Sequence, residues 1–434
     1  MIHPAPQLAF PTPSLGRRAV LQGLLATAGV ALAPGLAACG SSGSGSAKDT
    51  VTFGSNYSDA VPKGALAAVM SAFEKDSGLK VTVNTKDHET YQEQINNYLQ
   101  GKPDDVFSWF AGYRMQYFAA KGLATDISDV WGQVGGNYSQ AHKEASTGKD
   151  GKQYFVPLYS YPWGMFYRPS VWQQHGYTVP KTLDEFIALG TKMKADGLTP
   201  IAFGQKQGWP ALGTFDQLNF RINGYEFHMS LMAGTEDWAG KKVRDVFDTW
   251  RRLMPLHQEN ALGRTWEEAA QSVGAGKSGM YLLGMFVGQQ FSGKIDDLDF
   301  FPFPEINSAY GTDTVEAPID GFMLSRKAAN PDRAKKLLTY LASASAQLTY
   351  IKSDPSNIAA NTTTDTSGYN SLQRKALEVI SKAKHITQFL DRDTDPRFAS
   401  DAAINGMNKF LQNPNDIDGV VNGLASQAKS IFTG

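Results

Sequence analysis

Apolar residues along the chain fall into two alternating rhythms. Short runs alternate or stay apolar throughout, and between them apolar residues recur every three or four positions. Val51-Thr52-Phe53-Gly54 predicts a short strand ending in a turn. Residues 63–77 place Leu66, Val69, Met70 and Phe73 at helical spacing, and Gly78 closes that helix. Leu79, Val81 and Val83 alternate with polar residues, as a strand does. A helix over 89–100 follows, stopped by Gly101 and Pro103, and Asp105-Val106-Phe107 reads as a third strand. Strand, helix, strand, helix, strand predicts a parallel sheet with crossover helices.

The rhythm returns later. Thr182 and Glu185 predict a capping box ahead of Phe186, Leu189 and Met193. Gly197 ends that helix, and Pro200-Ile201-Ala202-Phe203 predicts a strand. Asn330-Pro331 opens a helix with Ala334, Leu337, Leu338 and Leu341 on one face. No fixed-period repeat occurs. Beyond residue 48 no Pro- or Ser-rich linker separates two halves, so the chain is expected to cross between domains more than once.

The amino-terminal segment follows different rules. Arg17-Arg18 precede an apolar stretch from Ala19 to Ala33, and Leu36-Ala37-Ala38-Cys39 ends it, followed by Gly40. A charged start, an apolar middle and small residues before a cysteine read as a bacterial lipoprotein export signal. Its thiol would take a lipid (diacylglycerol, with palmitate among the acyl chains). The apolar run is shorter than the ~20 residues a membrane span needs. The paired arginines point to the twin-arginine (Tat) export route. Residues 40–48, GSSGSGSAK, have the composition of a flexible tether.

Residues 39–434 are too many for one core and suit two domains. A 42% apolar and 19% charged composition is that of a globular chain. The net charge of −1 gives no basic excess for nucleic acid. Cys39 is the only cysteine, so no internal disulfide is expected. Gly274-Ala275-Gly276-Lys277-Ser278 resembles the end of a phosphate-binding loop. Its required first glycine is replaced by Gln271, however. No pair of histidines has zinc-ligand spacing, and no Gly-x-Ser-x-Gly elbow occurs. No metal, cofactor or catalytic residue is therefore assigned.

Aromatic residues cluster where predicted strands end. Trp109, Phe110, Tyr113 and Arg114 follow the third strand. Tyr159, Tyr161 and Trp163 crowd one Pro- and Gly-bearing stretch. Trp209 sits in Gln207-Gly208-Trp209-Pro210, and Phe286 follows Gly284-Met285. Ligands of open α/β sheets bind outside the carboxyl ends of the strands. Aromatic faces there can stack on the C–H face of a sugar ring while polar neighbours bond its hydroxyls.

Several ordered runs carry a resemblance. They are Lys80-Val81-Thr82-Val83, Pro103 to Trp109, and Gly112-Tyr113-Arg114. Ala119 to Leu123 with Asp126-Ile127, Gly151 to Pro157, Phe166-Tyr167, and Pro180 to Phe186 continue the order. Gly276 to Met280 with Gly284-Met285-Phe286 complete it. In order and spacing the chain resembles the extracellular solute-binding proteins of ABC sugar importers, the group that includes the maltose-binding protein. The resemblance implies an α/β, two-lobed periplasmic-binding-protein-like fold of type II. Its sheets would be of parallel type with crossover helices, and a hinge would join the lobes. It implies ligand contacts from Asn56, Tyr57 and Ser58, from His88 or Glu89, and from Phe110, Tyr113 and Arg114. Tyr161, Trp209 and Phe286 would continue the site. Asp320 and Gly321 would sit at a crossing, and Thr387 to Arg392, including Gln388 and Asp391, near a late aromatic contact. Tyr113 and Tyr161 stand where the maltose binder has acids, which leaves the sugar open.

The expected organisation is a signal peptide over 1–38 and a lipidated Cys39 with its tether over 39–48. The first lobe covers 49–158 and returns over 319–356. The second lobe covers 159–318 and carries the C-terminal helices over 357–434. The expected function is a monomeric, lipid-anchored receptor on the outer face of the cell membrane. It would close on a mono- or oligosaccharide and hand it to the transmembrane subunits of an ABC permease, with no chemistry on the ligand. A secreted glycoside hydrolase using a carboxylate pair, or a receptor for a non-sugar solute, stands as the alternative.

Overall fold

Among the described residues, twelve strands arise where the apolar rhythm is short. They are β1 (Thr50–Ser55), β2 (Lys80–Thr85), β3 (Val106–Phe110), β4 (Val156–Ser160), β5 (Trp163–Tyr167) and β6 (Thr199–Ala202). There follow β7 (Ser278–Gly284), β8 (Asp299–Phe301), β9 (Thr314–Glu316), β10 (Ile319–Leu324), β11 (Ile358–Ala359) and β12 (His385–Thr387). These coordinates are a computed structural model that describes residues 49–291 and 293–433. The expected signal segment, Cys39 and the tether lie outside the described residues. Among the described residues, no helix is long and apolar enough to cross a membrane. Among those residues, no cluster of three or more His, Cys, Asp and Glu side chains is placed to hold a metal ion.

Two main sheets form, ordered β11-β4-β10-β3-β1-β2 and β6-β7-β5-β8. β1 pairs in parallel with β2 and β3, as strand–helix–strand grammar requires. The sheet then turns antiparallel, with β10 between β3 and β4. The chain leaves the first sheet through Tyr161-Pro162 into β5, and returns through Ala317-Pro318 into β10. β11 still pairs with β4, just beyond the expected lobe boundary at 356. A separate parallel ribbon of β9 and β12 lies between these passages.

The helices follow the apolar stripes. Ala60–Ser77 buries Leu66, Val69, Met70 and Phe73, and Gly78 ends it in the left-handed region at φ 72°. Pro331–Leu341 buries Ala334, Leu337, Leu338 and Leu341. Two local expectations need correction. Thr182 accepts from the Glu185 N–H, but the Glu185 carboxylate bonds Lys181 N, so the reciprocal box is incomplete. Complete boxes occur instead at Thr265 with Glu268 and Asn370 with Gln373. β2 forms where Leu79, Val81 and Val83 alternate, as expected; it is an edge strand, and Val83 is exposed.

The third strand also runs on to Phe110, so Trp109 and Phe110 belong to the strand and not to the turn after it. The glycine-rich run at 274–278 ends the helix Trp266–Gly274 and leads into β7. That order, helix before strand, is the reverse of a phosphate-binding loop.

Candidate ligand-binding site

A cavity of about 130 Å³ opens between the carboxyl ends of β1, β3 and β4 and the second sheet. On one side, the turn after β1 supplies Asn56, Tyr57 and Ser58. Asn56 is fixed by neighbouring strands and helices. Its N–H donates to Ser108 Oγ (2.9 Å), Ser108 Oγ donates to Asn56 Oδ1 (2.7 Å), and His88 Nδ1 lies 3.3 Å from Asn56 Nδ2. His88 N in turn donates to Ser58 Oγ (3.2 Å). The ring of Tyr57 lies 6.3 Å from that of Tyr159, which lies 6.1 Å from that of Tyr161. Burial pushes all three phenols well above their ordinary titration range, so they face the cavity as neutral hydroxyls.

The floor is ionic. Arg392 Nη1 lies 2.8 Å from Asp320 Oδ1, Arg392 Nη2 donates to Tyr161 OH (3.1 Å), and the guanidinium sits 4.1 Å from the Phe110 ring centre. Burial alone would lower the Arg392 pKa, but Asp320, Tyr161 and Asp391 outweigh it and hold the group above its ordinary range. Burial raises the Asp320 carboxyl, an effect Arg392 opposes. Asp391 pairs with Arg114 at 3.0 Å.

The opposite wall is aromatic. Trp163 stacks on Phe389 with ring centres 5.0 Å apart. Phe286 stands edge-on to Tyr161 (5.3 Å), Trp266 (5.2 Å) and Trp209 (5.9 Å). Phe286 comes from the turn after β7, and Trp209 caps the helix Pro210–Asn223.

Of the residues expected at a site, Asn56, Tyr57, Ser58, His88, Glu89, Phe110, Tyr161, Trp163, Trp209, Phe286, Asp320, Asp391 and Arg392 reach this wall. Five do not. Trp109 is buried against Tyr91 and Phe118, because successive strand residues point to opposite faces and Phe110 takes the cavity side. Gly321 is turned away from the cavity for the same reason, one residue beyond Asp320. A Cβ there would strike the carbonyl of Val156. Tyr113 lies under the Lys149 ammonium, and Arg114 stands behind Phe110 and Asp391. Gln388 spends its side chain on Ile319 N (3.0 Å).

The wall also includes Asp59, Pro62, Gln92, Tyr159, Trp266, Glu267, Gln289, Asn357 and Phe389. The Thr265–Glu268 box fixes the first turn that presents Trp266 and Glu267, and it was a readable signal. Gln289 and Phe389 lie within a few residues of expected contacts. Asn357 carries no local signal.

The wall also gathers polar atoms that lack partners. Tyr57 OH, Trp163 Nε1, Trp209 Nε1, Asp320 Oδ1, Asn357 Oδ1, Asp391 Oδ1, and Arg392 Nε and Nη1 are buried without a hydrogen-bond partner. Native interiors leave few such atoms unmet. Donors and acceptors converging between aromatic faces suit a small ring with an apolar face and a hydroxylated edge.

Comparison with known proteins places the chain in context. The profile of a family described as bacterial extracellular solute-binding protein matches residues 56–348. An uncharacterized ABC transporter extracellular-binding protein of Pyrococcus horikoshii is 26% identical over 258 residues, covering 58% of this chain and 57% of the relative. A probable sugar-binding periplasmic protein of Mesorhizobium japonicum is 28% identical over 217 residues, covering 48% of this chain and 52% of the relative. The chain thus spans between half and two thirds of the length of these curated relatives. Among solved structures, the bacterial solute receptor AcbH superposes with a TM-score of 0.87 at 46% identity, covering 88% of this chain and 99% of that one. AcbH is described as having an exclusive substrate preference for β-D-galactopyranose.

Proposed function

The chain belongs to the bacterial extracellular solute-binding protein family, and from that premise we propose that its cleft captures a neutral saccharide for an ABC permease. The carrying observation is the set of buried, unpartnered polar atoms between the aromatic wall and the Asp320–Arg392 floor. Sugar hydroxyls would satisfy those atoms, and Trp209, Phe286 and Trp163 would cover the ring's C–H faces. β-D-Galactopyranose is the first candidate, because AcbH prefers it and is 46% identical to this chain. The small cavity, about 130 Å³, supports a monosaccharide over a long oligosaccharide.

In this reading the ligand is not transformed. The lobes are taken as 49–158 with 319–356, and 159–318 with 357–434, although β11, just past that boundary, pairs with β4 of the first lobe. Closure about the crossings Tyr161-Pro162 and Ala317-Pro318 would expel water from the cleft. The chain would be exported on its Arg17-Arg18 signal and held to the membrane by lipid on Cys39.

Titration calorimetry of residues 49–434 across a saccharide panel tests binding. No heat and no thermal shift with any sugar would overturn the reading, as would release of reducing ends from an oligosaccharide. Detergent partitioning tests the anchor. The full chain should enter the detergent phase, and its Cys39→Ala variant the aqueous one.

A further inference from the structure

The cavity wall carries more negative than positive groups. Its carboxylates are Asp59, Glu89, Glu267, Asp320 and Asp391, and its one guanidinium is Arg392. Two of these charges are already matched, Asp320 by Arg392 at 2.8 Å and Asp391 by Arg114 at 3.0 Å. Among the described residues, no lysine or arginine forms an ion pair with Asp59, Glu89 or Glu267. Glu267 accepts only an amide hydrogen bond, from Gln207 Nε2 (3.0 Å). Asp59 and Glu89 come from the first-sheet side, and Glu267 from the helix Trp266–Gly274 opposite.

We infer that Asp59, Glu89 and Glu267 form an acidic mouth that rejects anionic saccharides such as uronic acids and sugar phosphates while admitting neutral ones. The inference rests on the saccharide reading above and deepens it to a charge class. Asp59 is exposed and Glu89 and Glu267 are half-buried, so they stand nearer solvent than the buried unpartnered Tyr57 OH, Trp163 Nε1 and Asp320 Oδ1 against which the ligand would lie. A low-dielectric cleft focuses the field of one-signed walls. Rejection by a like charge is a direct route to specificity. Partial burial, and then the negative charge of Glu267, raise the Asp59 carboxyl, in keeping with carboxylates facing across the opening.

The test uses calorimetry with D-galactose, D-galacturonate and neutral D-galacturonamide at low and high salt. Galacturonate should bind at least about tenfold more weakly than galacturonamide, a gap of ~1.4 kcal/mol. Raising the salt should narrow that gap, because exposed charges are screened. In the Asp59→Asn, Glu89→Gln, Glu267→Gln protein the acid-to-amide ratio should fall toward one. Equal affinity for acid and amide in the unaltered protein would overturn the inference. So would a gap that neither salt nor the triple variant changes. The salt series needs only the unaltered protein, so the inference stays testable if the triple variant does not fold. Failure of every neutral sugar to bind would overturn the functional reading and this inference with it. Neutral binding without charge discrimination would overturn this inference alone.

Discussion

Asp320 Oδ1 and Arg392 Nη1 stand 2.8 Å apart in the cavity floor, yet neither atom completes a hydrogen bond within the protein. The pair is close enough to neutralise and misaligned for bonding, so its remaining capacity points to a ligand. Both groups are buried, so removing one strands the other. Arg392→Ala is expected to cost about 3–5 kcal/mol of stability and to abolish saccharide binding. Arg392→Lys keeps the charge without the planar fork and should recover stability more than affinity. Urea unfolding and calorimetry on the two variants check this. Unchanged affinity in both would remove the pair from the site.

Gly213 lies in the helix Pro210–Asn223, where alanine would ordinarily favour the helix by ~1 kcal/mol. A Cβ at this position would run into the Trp163 ring. Gly213→Ala should therefore push Trp163 off Phe389 and into the cavity, weakening saccharide binding by about tenfold or more, ~1.4 kcal/mol. A Gly213→Ala protein that binds as before would show that Trp163 has room to yield.

Trp109 and Phe110 are neighbours in sequence with opposite fates. Trp109→Ala should cost about 3–5 kcal/mol through the cavity it leaves, with ligand affinity changed little in protein that remains folded. Phe110→Ala removes the face under Arg392 and should lower affinity as well. Chemical denaturation beside binding isotherms separates the two. The pairing is refuted if Trp109→Ala loses affinity while Phe110→Ala does not.

Three buried carboxyls lie behind the floor. Asp393 accepts from Gln388 N (2.9 Å), Asp216 from Leu390 N (2.7 Å) and Glu316 from Gln217 Nε2 (2.8 Å). Asp391, Arg392, His228 and, beside Glu316, Arg221 are charged or titratable groups nearby. Burial raises Asp393 from 3.8 to about 7 and drives Asp216 and Glu316 up as well. A carboxyl raised on folding binds more protons native than unfolded, so stability is highest below the unfolded pKa and falls as pH rises. The contribution of Asp393 should decline between pH 4 and about 7. For Asp393 alone the ceiling is about 4 kcal/mol, from roughly three units at ~1.4 each. Asp393→Asn should flatten the slope across that window. The same slope in the variant would contradict this.

Much of this was legible in the sequence where local rules decide. The stripe Leu66, Val69, Met70, Phe73 and the cap Gly78 fold as their spacing dictates. The aromatic cluster at Tyr161-Trp163, together with Trp209 and Phe286, does mark the cavity. What was not legible is set by strand facing and by distant pairing. A strand that runs three residues further than expected sends Trp109 inward. Asn357, Trp266 and Asp59 meet only because the chain passes between the sheets repeatedly. The dense acids at Asp216, Glu316 and Asp393 converge from two helices and a ribbon strand, and no local pattern joins them.

The placement of the indoles has a practical corollary. Trp163, Trp209 and Trp266 border the cleft, whereas Trp109, Trp131, Trp172, Trp238 and Trp250 do not. Emission from the bordering set would change when solvent gives way to a bound ring, against a steady background from the others. The molecule thus contains a built-in optical gauge of occupancy. Swapping the five distant indoles for phenylalanine would sharpen it into a label-free sensor.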